Sequence, residues 1–81
     1  MGARDITDND YARLIEMLIE RRKAAGVTQV QLAAFLRKNQ AGVSKVERRQ
    51  RRLDVIDFVR YCEAIGADPA TLLQEWLSGR G

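Results

Sequence analysis

Residues 28–52, TQVQLAAFLRKNQAGVSKVERRQRR, decide the fold of this 81-residue chain. They read as two short helices joined by a tight turn and followed by a dense basic run. Thr28 can cap the first helix, its hydroxyl taking a free amide of the opening turn. From Gln29 to Leu36, the residues Val30, Ala33 and Leu36 fall near one side, with Leu32 beside them. Arg37-Lys38-Asn39 interrupts that pattern, and Asn39 can cap again. From Gln40 to Glu47, at about 100° per residue, Gln40, Ala41, Ser44, Lys45 and Arg48 fall within roughly 140° of one another. Val43 and Val46 take the opposite side, flanked by Gly42. One face is apolar. The other carries small, polar and cationic side chains of the kind that reach base edges in a DNA major groove.

Helical periodicity extends on both sides of this stretch. Upstream, Tyr11, Leu14, Ile15, Leu18 and Ile19 recur at i, i+3, i+4, i+7 and i+8, the inward stripe of a first helix that runs to about Ala25. Thr7 or Asp8 can cap it, and Asp8 and Asp10 suit its positive end. Gly26 supplies a left-handed position after its last turn. Downstream, 48–53 reads as an extended basic loop, and Asp54 caps a fourth helix. Val55, Ile56, Val59 and Cys62 are expected to face inward there, with Phe58 undecided between the faces. Gly66 ends that helix. Asp68-Pro69 is a cap followed by proline at the first helical position, which starts a fifth helix with Leu72, Leu73, Trp76 and Leu77 as its apolar side. The chain has no strand pattern, internal repeat or long linker. The expected fold is all-α: a compact five-helix bundle in one domain over 8–78, its helix-turn-helix formed by helices 2 and 3. Frayed tails are expected at 1–7 and 79–81.

Composition narrows the chemistry. A chain this short buries a modest core and has little room for a deep active site. With no histidine, the commonest acid–base residue is missing, and so are the usual zinc and triad constellations. No enzyme activity, metal or cofactor is expected. The one cysteine, Cys62, cannot form an internal disulfide and reads as a small buried hydrophobe compatible with a reducing compartment. The opening MGARDITDND shows no apolar signal segment, and Ile6 occupies the position where a myristoylation motif wants Ser or Thr. No run approaches a membrane span, so a cytoplasmic location without membrane partners is expected.

The net charge is only +3, but residues 37–52 hold seven cations against the single anion Glu47. A basic cluster placed where the third helix ends is the electrostatic footprint of polyanion binding.

The pattern TQxxLAxxL-turn-NQxxVSKVE resembles the helix-turn-helix of the Cro/repressor-type family, often called XRE-like, of phage and bacterial transcription regulators. Arg22, Gly26, Thr28-Gln29, Leu32-Ala33, Val43-Ser44-Lys45 and Glu47 stand at family spacing. So does Ala64-Ile65-Gly66-Ala67-Asp68-Pro69. The resemblance covers roughly residues 11–77. The chain also departs from the pattern. Arg37 stands where a turn glycine is common, which favours a helical or open turn. Arg49 replaces another common glycine and leaves the following loop's geometry open. Gly42 replaces a usually larger residue and weakens the third helix by about 1 kcal/mol relative to alanine.

The resemblance implies roles for individual residues. Gln29 is expected to contact a DNA phosphate and to brace the first residue of the third helix. Gln40 can pair with adenine N6 and N7, and Ala41 can touch a thymine methyl. Ser44 can reach a base or a phosphate, and Lys45 can read guanine or neutralise phosphate. Thr28, Lys38, Asn39, Arg48, Arg49 and Arg51 complete the expected DNA-binding set. Arg22 and Glu47 are expected to form a sheltered structural ion pair. Leu73, Trp76 and Leu77 are expected at a dimer interface, with Trp76 open between that seam and the core. The implied function is a double-stranded-DNA-binding transcription regulator. It would most simply be a repressor that binds a palindromic operator as a homodimer. A different reading is a protein-interaction module that binds a toxin or RNA polymerase, with DNA contact secondary.

Overall fold

Side-chain caps set where four of the five helices begin in the computed structural model, which describes residues 8–79. The helices are α1 (Asp8–Ala24), α2 (Gln29–Leu36), α3 (Gln40–Glu47), α4 (Val55–Ala64) and α5 (Pro69–Ser78), and no strand occurs among the described residues. Thr28 and Gln31 form a reciprocal capping box: Gln31 N–H donates to Thr28 Oγ1 at 3.1 Å, and Thr28 N–H donates to Gln31 Oε1 at 2.9 Å. Asn39 accepts from Gly42 N–H at 2.8 Å, Asp54 from Asp57 N–H at 2.7 Å, and Asp68 from Thr71 N–H at 3.2 Å. The hydrogen bonds from Thr71 hold the Asp68 carboxyl below its usual range. Gly26 and Gly66 close α1 and α4 with φ of 73° and 71°, a region open to glycine without a Cβ clash.

The core is one cluster built from Ile15, Leu18, Leu32, Ala33, Leu36, Val43, Phe58, Tyr61, Cys62, Ile65 and Leu72. α2 packs on α3 and α4, while α1 packs on α3 and α5. Each fully buried leucine or isoleucine contributes about 1.5–3 kcal/mol of transfer free energy.

Several expected details differ. Val30 is 64% exposed: Leu32 and Leu36, one turn apart, set the inward stripe of α2, and Val30 lies about 160° from Leu32. In α4 the inward stripe is Phe58, Tyr61, Cys62 and Ile65 at i, i+3, i+4 and i+7. Ile56 falls on its far side, and Val55 stands at its uncovered N-terminal lip, so both are exposed. The turn at Arg37 is neither helical nor open. Arg37 is left-handed (φ 57°, ψ 41°), and its closure is held by Lys38 N–H to Ala33 O at 2.9 Å and Arg37 N–H to Ala34 O at 3.2 Å. Arg49 repeats this after α3 with φ 61°, backed by Gln50 N–H to Lys45 O at 2.8 Å. The 48–53 segment therefore opens with a tight turn rather than an extended run. A non-glycine residue in this region costs about 1–2 kcal/mol, which the closing hydrogen bonds offset. The caps proposed at Thr7 and the tails at 1–7 and 80–81 lie outside the described residues.

Candidate nucleic-acid interface

The short turn after Arg37 sets α3 across α2 with Val43 locked into the core, so the opposite face of α3 is turned outward. Gln40, Ala41 and Lys45 are exposed on it, and Ser44 is half-buried. Thr28 and Asn39, the two caps, are exposed at the adjacent N-termini of α2 and α3. Arg48, Arg49 and Arg51 follow on the exposed turn.

A chain of hydrogen bonds runs from the core to the first residue of α3. Gln40 Nε2 donates to Gln29 Oε1 at 2.9 Å, and Gln29 Nε2 donates to Glu47 Oε1 at 2.9 Å. Glu47 also accepts two bonds from Arg22, Nε to Oε2 at 2.7 Å and Nη2 to Oε1 at 2.9 Å. The Tyr61 hydroxyl donates to Glu47 Oε2. Arg22 spends its remaining Nη1 on Val27 O at 2.8 Å. The pair is sheltered, with the two side chains 9% and 5% exposed. Both ends of the Gln29 amide are engaged, so its orientation is fixed and the position of Gln40 is tied to the α1–α3–α4 packing. Sequence reasoning missed Tyr61. Its polar tip concealed a residue only 2% exposed whose hydroxyl completes the buried carboxylate's partners.

Electrostatics in this cluster follow from that geometry. Burial pushes the Glu47 pKa up, but hydrogen bonds from Arg22, Tyr61 and Gln29 outweigh it and hold the carboxyl below its ordinary 4.5. A folded-state value below the unfolded one contributes stability that is full above about pH 4.5 and is lost as pH falls through the folded value. Burial, and then the bond to Glu47, push the Tyr61 phenol well above its usual range, so it remains a donor. Its contribution is full below about pH 10 and fades only as pH rises through the folded value. The chain has no histidine to titrate near neutrality. The urea midpoint should therefore be flat from about pH 6 to 8 and fall toward about pH 3, with a shallower acid limb in Glu47→Gln. A midpoint equally high at about pH 3 would show that ionised Glu47 supports nothing.

The basic cluster is less free than its sequence implies. Lys38 Nζ lies 3.2 Å from Asp57 Oδ2, Arg49 Nη1 3.9 Å from Glu16 Oε1, and Arg52 Nη2 3.5 Å from Asp8 Oδ1. Arg37, Lys45, Arg48 and Arg51 form no ion pair among the described residues. Lys38 and Arg49, expected on DNA, thus each already face a carboxylate. The acids come from α1 and α4, distant in sequence from the cluster.

Trp76, which the sequence leaves open between a dimer seam and the core, packs within the chain against α1. It is 7% exposed, and its indole Nε1 donates to Asp10 O at 2.8 Å. Arg13 donates to Trp76 O, tying the end of α5 to α1. Leu73 and Leu77 remain exposed, and Leu73 lines an apolar groove with Leu14, Leu53, Val55 and Phe58. Cys62 is wholly buried, and burial pushes its thiol up to about 11. No helix is long and apolar enough to cross a membrane among the described residues, and no group of three or more potential metal ligands occurs there.

Comparison with known proteins matches this geometry. A family model described as a helix-turn-helix domain matches residues 7–76. A solved XRE-family like protein from Pseudomonas syringae pv. tomato is 44% identical, with a TM-score of 0.88 over 91% of this chain and 90% of that one. The clp gene regulator ClgR from C. glutamicum is 26% identical, with a TM-score of 0.75 over 89% of this chain and 94% of that one. No curated protein sequence matches the chain.

Proposed function

The chain belongs to the XRE-like helix-turn-helix family of DNA-binding transcription regulators, and from that premise we propose that it is a sequence-specific repressor acting as a homodimer on an inverted-repeat operator in double-stranded DNA. The observation that carries this reading is the buttressed Gln40. Its amide gives one N–H to Gln29 and keeps the second N–H and Oε1 for a bidentate pair with adenine. Ala41 beside it meets a thymine methyl, and Ser44 and Lys45 extend the same face toward bases and phosphates. Thr28, Gln29 and Asn39 present helix-terminal donors to the DNA backbone. Arg48 and Arg51 neutralise phosphates. Lys38 and Arg49 do so only by leaving Asp57 and Glu16, so they weigh less.

One eight-residue helix reads few base pairs, so discrimination within a genome needs two copies. A symmetric pair would set the two α3 helices about 34–36 Å apart, one turn of DNA. Exposed Leu73 and Leu77, with the groove beside Leu73, support α5 as the seam. Gln40→Ala should cost about 1–3 kcal/mol at one base pair in each half-site and leave random-sequence binding nearly intact. Selection from random DNA followed by footprinting tests both points. A monomer protecting one asymmetric half-site at full affinity would overturn the dimer. Equal losses on all sequences for Gln40→Ala would overturn base reading.

A further inference from the structure

Tyr11 opens the apolar stripe of α1, yet its hydroxyl is used on the far side of the chain. It accepts from Leu53 N–H at 3.1 Å and donates to Arg51 O at 3.5 Å. The Arg52 guanidinium lies over the Tyr11 ring, 4.5 Å from its centroid, and also reaches Asp8. Arg51 goes the other way. Its Nη1 lies 3.9 Å from the point a Cβ on Gly42 would occupy, alongside the first turn of α3. One tyrosine therefore holds the backbone between two neighbouring arginines and separates their side chains. Arg52 is retained on α1 by the ring and by Asp8. Arg51, which has no ion pair among the described residues, is delivered beside Gly42, at the edge of α3 near Lys38. A phenylalanine would fill the same space in the stripe, so the hydroxyl serves the loop and not the core.

We propose that Tyr11 is a positioning residue for nucleic-acid binding: its hydroxyl sets the 51–53 backbone so that Arg51 meets a duplex phosphate next to α3. This rests on the reading of the chain as a DNA-binding protein, and it assigns a role to a residue outside the helix-turn-helix. The segment is irregular and follows a left-handed Arg49, so few other constraints fix its path. Losing a hydrogen bond of this kind should weaken binding about three- to tenfold.

The test is a double-mutant cycle on a random-sequence duplex, read by fluorescence anisotropy at low salt, with Tyr11→Phe, Arg51→Ala and the two combined. Tyr11→Phe alone should weaken binding about three- to tenfold, and it should cost nothing further when Arg51 is already alanine. Amide exchange at Leu53 should accelerate in Tyr11→Phe, while the far-ultraviolet dichroism stays helical. Equal losses in both backgrounds, or no loss in the wild-type background, would overturn the role of Tyr11 while leaving DNA binding intact. Failure of the wild-type chain to hold duplex at low salt would instead overturn the DNA-binding reading itself. An unchanged Leu53 exchange rate in Tyr11→Phe would overturn the hydrogen bond as the means of positioning.

Discussion

Arg22→Ala should remove about 3–5 kcal/mol of stability, the cost of leaving a buried carboxylate without its charge partner. Stabilities of about 0.05–0.15 kcal/mol per residue give a chain of this size roughly 4–12 kcal/mol in all, so the loss threatens folding itself. The magnitude follows from what Glu47 keeps. Two charge-assisted bonds vanish together, leaving only Gln29 and Tyr61 on a side chain 5% exposed. Val27 O also loses its donor. Lys23→Ala, one residue further along α1 at an exposed position, should stay within about ±0.5 kcal/mol. Urea midpoints of the two variants at neutral pH decide the matter. Equal midpoints would mean that the pair is structurally idle. The same variant should also blur base recognition at temperatures where it remains folded, because Gln29 takes its orientation from Glu47.

The features that were legible in the sequence are those encoded by neighbouring residues. Thr28, Asn39, Asp54 and Asp68 mark helix starts because each needs only an amide three residues on. Gly26 and Gly66 mark ends because glycine alone takes positive φ freely. Arg37 and Arg49 take it too, and nothing local announces this. Their turns are closed by backbone bonds whose worth depends on the packing of the helices they join. Apolar character misled where a short helix has room for one stripe. Val30, Val55 and Ile56 lost that place to residues spaced to meet a partner helix. Trp76 could be read two ways because its burial depends on α1, sixty-odd positions away in the chain. In the site, the polar face of α3 was visible from its period. The link from Gln40 to Gln29 was legible only through the family resemblance, and the link from Tyr61 to Glu47 was not legible, since it joins α4 to α3 across the core. The basic cluster was visible as a count, but the acids facing it were hidden until α1 and α4 came alongside.

Those acids set the most sensitive solution property expected of the chain. If all seven cations of 37–52 met phosphates, the log–log slope of affinity against salt would be about 6 per chain, at about 0.9 for each phosphate neutralised. With Lys38, Arg49 and Arg52 held by carboxylates, Arg37, Lys45, Arg48 and Arg51 remain. The slope should then be about 3.6 per chain and about 7 for a dimer. Raising salt from about 50 to 200 mM should weaken a dimer's hold on random duplex on the order of 10⁴-fold, and a monomer's about a hundredfold. Arg51→Ala should lower the slope by about 0.9 per chain and weaken all sequences alike. Arg52→Ala should leave it unchanged, because that guanidinium is occupied by Asp8 and the Tyr11 ring. Anisotropy titrations across that salt range measure the slope directly. A slope near 12 for a proven dimer would mean that duplex phosphates strip Lys38, Arg49 and Arg52 from their carboxylates. A slope near zero would leave the basic cluster with no polyanion to bind.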